Sequence, residues 1–128
     1  MLFRSPETGR VVAGVRTANG RGLADARTLL RAGAVRFDGS PANTTLGIIA
    51  TNATLTKTEA KRVAQMAHDG YARAIAPVHT PVDGDTIFVL ATGGRTTPAD
   101  AGQIGVLAAD VMARAIVRAA TDRFVDRA

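Results

Sequence analysis

Two short stretches hold residue types that can do chemistry. Asn43-Thr44-Thr45 stands where a run of turn-forming residues meets the apolar segment TLGIIAT, and Asp83-Gly84-Asp85 stands just before a second apolar segment, TIFVLA. A threonine hydroxyl is a poor nucleophile at neutral pH and needs a base beside it. Threonine supplies its own when it is the first residue of a chain, through its α-amine. With a pKa of about 8, that amine suits general-base work near neutral pH. Thr44 is internal, so it acts this way only after the Asn43–Thr44 bond is cut. The same hydroxyl can do the cutting by attacking the Asn43 carbonyl, which converts the amide to an ester that water opens. Asp83 and Asp85 are candidates to take up protons and orient the hydroxyl and the new amine. The same residues also fit a plainer reading: Thr44 caps a turn at a loop end, and Asp-Gly-Asp is an ordinary turn or a pair of calcium ligands.

Catalysis requires the two stretches to meet, so the elements around them decide. Residues 33–43 are rich in Gly, Ser, Pro, Asp and Asn, the one credible linker in the chain. Thr45–Thr51 reads as a strand and, being almost continuously apolar, as one buried on both faces. Thr56-Lys57-Thr58-Glu59 is a capping box opening a long helix, with Ala60, Val63, Ala64, Ala67, Tyr71, Ala74 and Ile75 as its apolar stripe and Pro77 as its stop. Residues 81–85 form a turn, Thr86–Ala91 a second strand, and Ala101–Val125 a final helix with Ile104, Leu107, Ala108, Val111, Ala115 and Ile116 on its inner side. Upstream, Arg10–Arg16 reads as a short strand and Leu23–Arg31 as a short helix. From Thr45 the order is strand, helix, strand, helix. Such a crossover within one sheet joins parallel strands, which start at the same edge. Thr44 is therefore expected at the end where Asp83 and Asp85 lie.

Composition narrows the function classes. The 128 residues suit one domain, with 46% apolar and 21% charged residues, no Trp and only 4% aromatics. With no Cys and two histidines, thiolate chemistry is excluded and zinc is not expected. No 18-residue apolar run and no signal-peptide core appear, so a cytoplasmic protein without membrane contact is expected. The net charge is +5. Residues 1–43 hold seven arginines against Glu7, Asp25 and Asp38, a net +4, but these arginines are dispersed with no aromatics between them. That argues against a nucleic-acid surface, which interleaves bases with stacking rings. Asn43-Thr44-Thr45 and Asn52-Ala53-Thr54 match the glycosylation pattern, here read as incidental. His68 reads as a surface or packing residue, Tyr71 as core, and His79-Thr80 receives no role.

Three segments together, NTTLGIIATNA, LTKTEAKRVAQMAHDGYARAI and PVHTPVDGDTIFVLAT, resemble the C-terminal part of the DmpA-type family of L-aminopeptidase/D-esterases, β-peptidyl aminopeptidases and nylon-oligomer hydrolases. The resemblance runs from about Thr8 to the C-terminus. It implies a precursor that cleaves itself ahead of a Ser or Thr, which becomes the nucleophile. Here Thr44 matches that nucleophile, Asn43 the residue before the cut, and Asp83 and Asp85 the acidic pair of the nylon-hydrolase branch. Residues 1–43 then end an α-subunit-like region and 44–128 form a β-subunit-like region, together one partial domain. The implied fold is α/β, a strand-helix-strand-helix portion of a four-layer αββα sandwich. The implied partners are a peptide or amide-oligomer substrate, an N-terminal segment of the same family, and further copies in a homo-oligomer, with no cofactor. Full-length family members carry a long N-terminal stretch with Lys and Asn groups that help bind substrate. The only lysines here, Lys57 and Lys61, lie on the capped helix and match no catalytic lysine of the family. The competing expectation is a catalytically inactive segment that docks on the rest of the fold.

Overall fold

The computed structural model describes residues 1–34, 44–95 and 99–125. Within them, β1 (Leu2–Arg4), β2 (Val11–Gly14), α1 (Ala26–Arg31), β3 (Leu46–Thr51), α2 (Lys57–Ala74), β4 (Ile75–Ala76), β5 (Thr86–Ala91) and α3 (Ala101–Val125) follow in order. The 33–43 linker lies almost wholly outside the described residues, as does Asn43.

The mixed α/β character and the crossover are as the sequence indicates. β3 and β5 pair in parallel, with Leu46 opposite Thr86 and Thr51 opposite Ala91, and α2 lies between them in the chain. α2 starts at the expected box: the Thr56 hydroxyl accepts from the Glu59 N–H, while the Glu59 carboxylate accepts from the Thr56 N–H at 2.8 Å. Its stripe is buried at Val63, Ala67, Tyr71 and Ala74. Those side chains and Ile75 meet Ile49, Ile87, Ala108, Met112, Ala113 and Ile116 in the main core. Full burial of side chains the size of Val63 and Ile75 contributes roughly 1.5–3 kcal/mol each.

Four local readings are corrected. First, β3 is buried on one face only, at Gly47 and Ile49; Leu46 and Ile48 are 69% and 70% exposed, as are Phe88 (59%) and Leu90 (58%) on β5. A continuous apolar run cannot show how many layers cover it. Second, α2 stops three residues before Pro77. Ile75 and Ala76 turn extended and pair antiparallel with β1, whose other edge pairs with β2. A partner strand at residues 2 and 3, far earlier in the chain, is invisible to local periodicity. Third, α1 begins at Ala26, with the Asp25 side chain capping Arg27 N–H, and Leu23 instead bridges to Arg16.

Fourth, the inner face of α3 is rotated. Gly105, Ala108, Ala109, Met112, Ala113 and Ile116 are buried, while Leu107 and Val111 are 62% and 56% exposed. α3 is apolar on more than one side. The small-residue side wins because it lets α2 approach closely. At the crossing, a Cβ on Gly70 would lie 2.5 Å from the Ala109 carbonyl oxygen and 2.8 Å from Met112 Cβ. A backbone oxygen cannot swing aside. Gly70→Val is therefore expected to destabilise the complete protein by about 2 kcal/mol or more, read as a lowered denaturant midpoint; an unchanged midpoint would show that the helices can separate freely.

Candidate active site

The starts of β3 and β5 form one edge, and the Tyr71 side chain of α2 is bonded to it. The Tyr71 hydroxyl faces the carbonyl oxygens of Thr45 at 3.2 Å and Thr86 at 3.3 Å. Gly47 makes room for it, since a Cβ there would stand 2.7 Å from the Tyr71 hydroxyl. Burial, with a smaller contribution from the Asp85 carboxylate, pushes the Tyr71 phenol up to about 12, so it stays a hydrogen-bond donor across the neutral range. The Thr86 N–H donates to the Thr45 carbonyl at 3.0 Å and completes the edge.

Thr44 is exposed and lies against the Asp83-Gly84-Asp85 turn. A Cβ on Gly84 would sit 2.9 Å from Thr44 Oγ1, so glycine is what lets the hydroxyl approach the turn. The two carboxylates differ in role. Asp83 Oδ2 accepts from the Thr80 N–H at 2.8 Å, and the Asp83 N–H returns to the Thr80 carbonyl at 3.0 Å, which closes the turn on itself. Asp85 is only 3% exposed at its side chain. Its Oδ1 accepts from the Thr45 N–H at 3.0 Å, one residue beyond Thr44. Its Oδ2 accepts from the His79 N–H at 3.3 Å and stands 2.9 Å from His79 Nδ1. Three N–H groups converging on one carboxylate offset the penalty of burying its charge.

Two histidines join this edge that sequence reasoning left without a role. His79 Nε2 lies 3.3 Å from His68 Nδ1, and the His79 ring stacks on Tyr71 with centroids 5.9 Å apart. His68 meets the edge of Tyr71 at 5.4 Å, as its i, i+3 spacing on α2 allows. Burial and the neighbouring His79 hold the His68 imidazole below its ordinary range, against the opposite pull of Asp85 and Asp69. His79 also has φ 55, the left-handed region. That conformation costs a non-glycine residue about 1–2 kcal/mol, and such outliers concentrate at functional sites. The only sequence hint was a histidine six residues before Asp85 in a proline-bounded turn. Thr80 adds a buried hydroxyl that has no hydrogen-bond partner among the described residues. Also among the described residues, no group of three or more His, Asp or Glu side chains is arranged to hold a metal ion, and no helix is long and apolar enough to cross a membrane.

The structure thus brings Thr44, Asp83 and Asp85 to one edge, with Asp85 bonded to the backbone next to Thr44. This arrangement could position a hydroxyl beside acidic groups of two kinds, one buried and fixed, one in an open turn.

Comparison with known proteins bears on what such an edge does. The profile of peptidase family S58 matches residues 8–126. A 51-residue stretch is 55% identical to an uncharacterized aminopeptidase of Mycobacterium tuberculosis; it covers 40% of this chain and 15% of that protein. An uncharacterized aminopeptidase of Mycobacterium leprae matches at 55% over 51 residues, which is 40% of this chain and 14% of the relative. A 6-aminohexanoate-oligomer endohydrolase of Kocuria sp. is 40% identical over 48 residues, 38% of this chain and 14% of the relative. The matched stretches span about one seventh of the length of these curated relatives. Over nearly all of its length, however, the chain fits one hydrolase profile, and it belongs to peptidase family S58, the DmpA-type hydrolases.

Proposed function

We propose that this chain is the segment of a self-processing aminopeptidase or amidohydrolase that holds the nucleophile, Thr44. The observation that supports this most is the bond from the Thr45 N–H to buried Asp85, with the Thr44 hydroxyl against Gly84 of the same turn. In the first step Thr44 Oγ adds to the Asn43 carbonyl carbon and gives up its proton to a neighbouring base. The C–N bond then breaks, the nitrogen takes a proton, and an ester remains. Water adds to that ester and releases Asn43 as a carboxylate and Thr44 as a free N-terminal threonine. In turnover, the α-amine accepts the Oγ proton as Oγ attacks a substrate amide or ester. The proton passes to the leaving amine or alcohol, and water frees the acyl group by the same route. Asp85 fixes the backbone beside the nucleophile, and Asp83 shapes the turn. The relatives' names suggest peptides with a free N-terminus and short amide oligomers as substrates.

The four-layer αββα sandwich and a homo-oligomer belong to this proposal too. Leu46, Ile48, Phe88 and Leu90 stand open on the sheet face away from α2. Monomeric proteins rarely leave such a patch bare, and a second sheet from the complete protein would cover it. The same patch favours a second reading, in which residues 1–128 alone are an inactive segment that docks on the rest of the fold. Mass spectrometry of the complete protein tests the first reading. A fragment beginning at Thr44 is expected, and an intact, active chain would refute it. Expressing residues 1–128 alone tests the second: a monodisperse, hydrolytically active monomer would exclude it.

A further inference from the structure

We propose that His79 is a positioning residue for Asp85, and that the His79–His68 pair sets the acid limb of the site's pH dependence. This inference rests on the reading of the Thr44 edge given above. Three independent features of His79 point at one acceptor. Its backbone N–H and its Nδ1 both reach Asp85 Oδ2, and its φ of 55 is the conformation that lets one residue aim both groups at the same oxygen. With Oδ2 held from that side, the carboxylate cannot rotate, and Oδ1 stays on the Thr45 N–H. The second ring continues the line: His68 Nδ1 to His79 Nε2, His79 Nδ1 to Asp85, Asp85 to the backbone beside Thr44.

The imidazole chemistry follows from this order. When Nδ1–H of His79 donates to Asp85, Nε2 of a neutral His79 accepts from His68 Nδ1–H. A singly protonated pair keeps the contact with either ring charged. A second proton places hydrogens on both facing nitrogens, which removes the acceptor and sets two positive charges 3.3 Å apart. The groups that face the pair are Asp85 from the turn before β5, and Asp69 and the Tyr71 hydroxyl from α2. With both rings protonated, the His68 contact breaks, like charges push the His79 ring away from α2, and the grip of its Nδ1–H on Asp85 Oδ2 loosens. His68 is half-buried and His79 is exposed, so the pair can exchange protons with solvent.

The experiment compares His79→Ala, His79→Asn and His68→Gln in the complete, processed protein, with alanine p-nitroanilide and linear 6-aminohexanoate dimer as probes, from pH 4.5 to 9. Asparagine tolerates the left-handed conformation and places an amide N–H near the position of Nδ1. His79→Ala is expected to lower kcat on the order of 10-fold or more with KM little changed. His79→Asn is expected to restore most of that kcat while its acid limb no longer follows the wild-type course, and His68→Gln to displace the acid limb. Thermal melts confirm that each variant is folded. Wild-type kcat and pH profile in His79→Ala would overturn the inference, as would a folded His79→Asn as impaired as His79→Ala with the wild-type acid limb intact. Failure of the underlying site is separately visible, because an active Thr44→Ala protein would remove that reading whatever the histidines do.

Discussion

Thr44→Ala is expected to leave the complete protein as a single uncut chain without hydrolase activity. The substitution removes the oxygen that attacks Asn43, so no fragment beginning at residue 44 forms and no α-amine is released. It also removes the oxygen that attacks substrate. Loss of a nucleophile typically lowers kcat on the order of 10⁴–10⁶-fold, and here two steps depend on the same atom. Position 44 is exposed, so the methyl side chain leaves no cavity and the fold should persist. Thr44→Ser supplies the control, because it keeps the hydroxyl and is expected to keep both processing and turnover. Intact mass and hydrolysis of an amino-acid p-nitroanilide measure the two outcomes. A cut or active alanine variant would end the nucleophile reading.

The next largest effect is expected at Asp85. Asp85→Asn replaces one carboxylate oxygen by an NH₂ group that cannot accept, in a pocket where Thr45 N–H, His79 N–H and His79 Nδ1 all point inward. Each buried donor left without an acceptor costs about 1–3 kcal/mol. The backbone next to Thr44 then loses the bond that holds it. Self-cleavage and turnover should both fall by roughly 10²-fold, the cost of misplacing a reacting group, and the denaturant midpoint should drop. Asp83→Asn is expected to be milder, since its visible bonds are to Thr80, within its own turn. Time courses of fragment formation by mass spectrometry separate the two. Equal effects at 83 and 85 would contradict the division of labour between the carboxylates.

Much of the framework was legible because the signals that specify it are local. The Thr56–Glu59 box needs only four consecutive residues, and α2 starts there. α3 spans the expected Ala101–Val125 because helical composition holds without a break. The parallel pairing of β3 and β5 followed from the helical crossover between them, and with it the meeting of Thr44 and the Asp83–Asp85 turn at one edge. The resemblance to the DmpA-type family supplied the meaning of that meeting, and the S58 profile match agrees with the family. What was misread depended on partners distant in sequence. Ile75 and Ala76 leave the helix because β1 offers a strand edge. Leu107 and Val111 stay outside because the close α2 crossing at Gly70 demands small residues.

Sequence by itself therefore determined the main strands and helices from β3 onward, the parallel pairing across their crossover and the residue types able to do chemistry at their junctions. These rest on propensity, capping and chain connectivity, which act over a few residues or one crossover. Only the tertiary structure decided that Asp85 is the buried carboxylate, that His79 and His68 stand behind it, and that one face of β3 and β5 is open. Burial and hydrogen-bond partnership are properties of where segments meet, and a residue's neighbours in space are fixed by the packing of the whole chain.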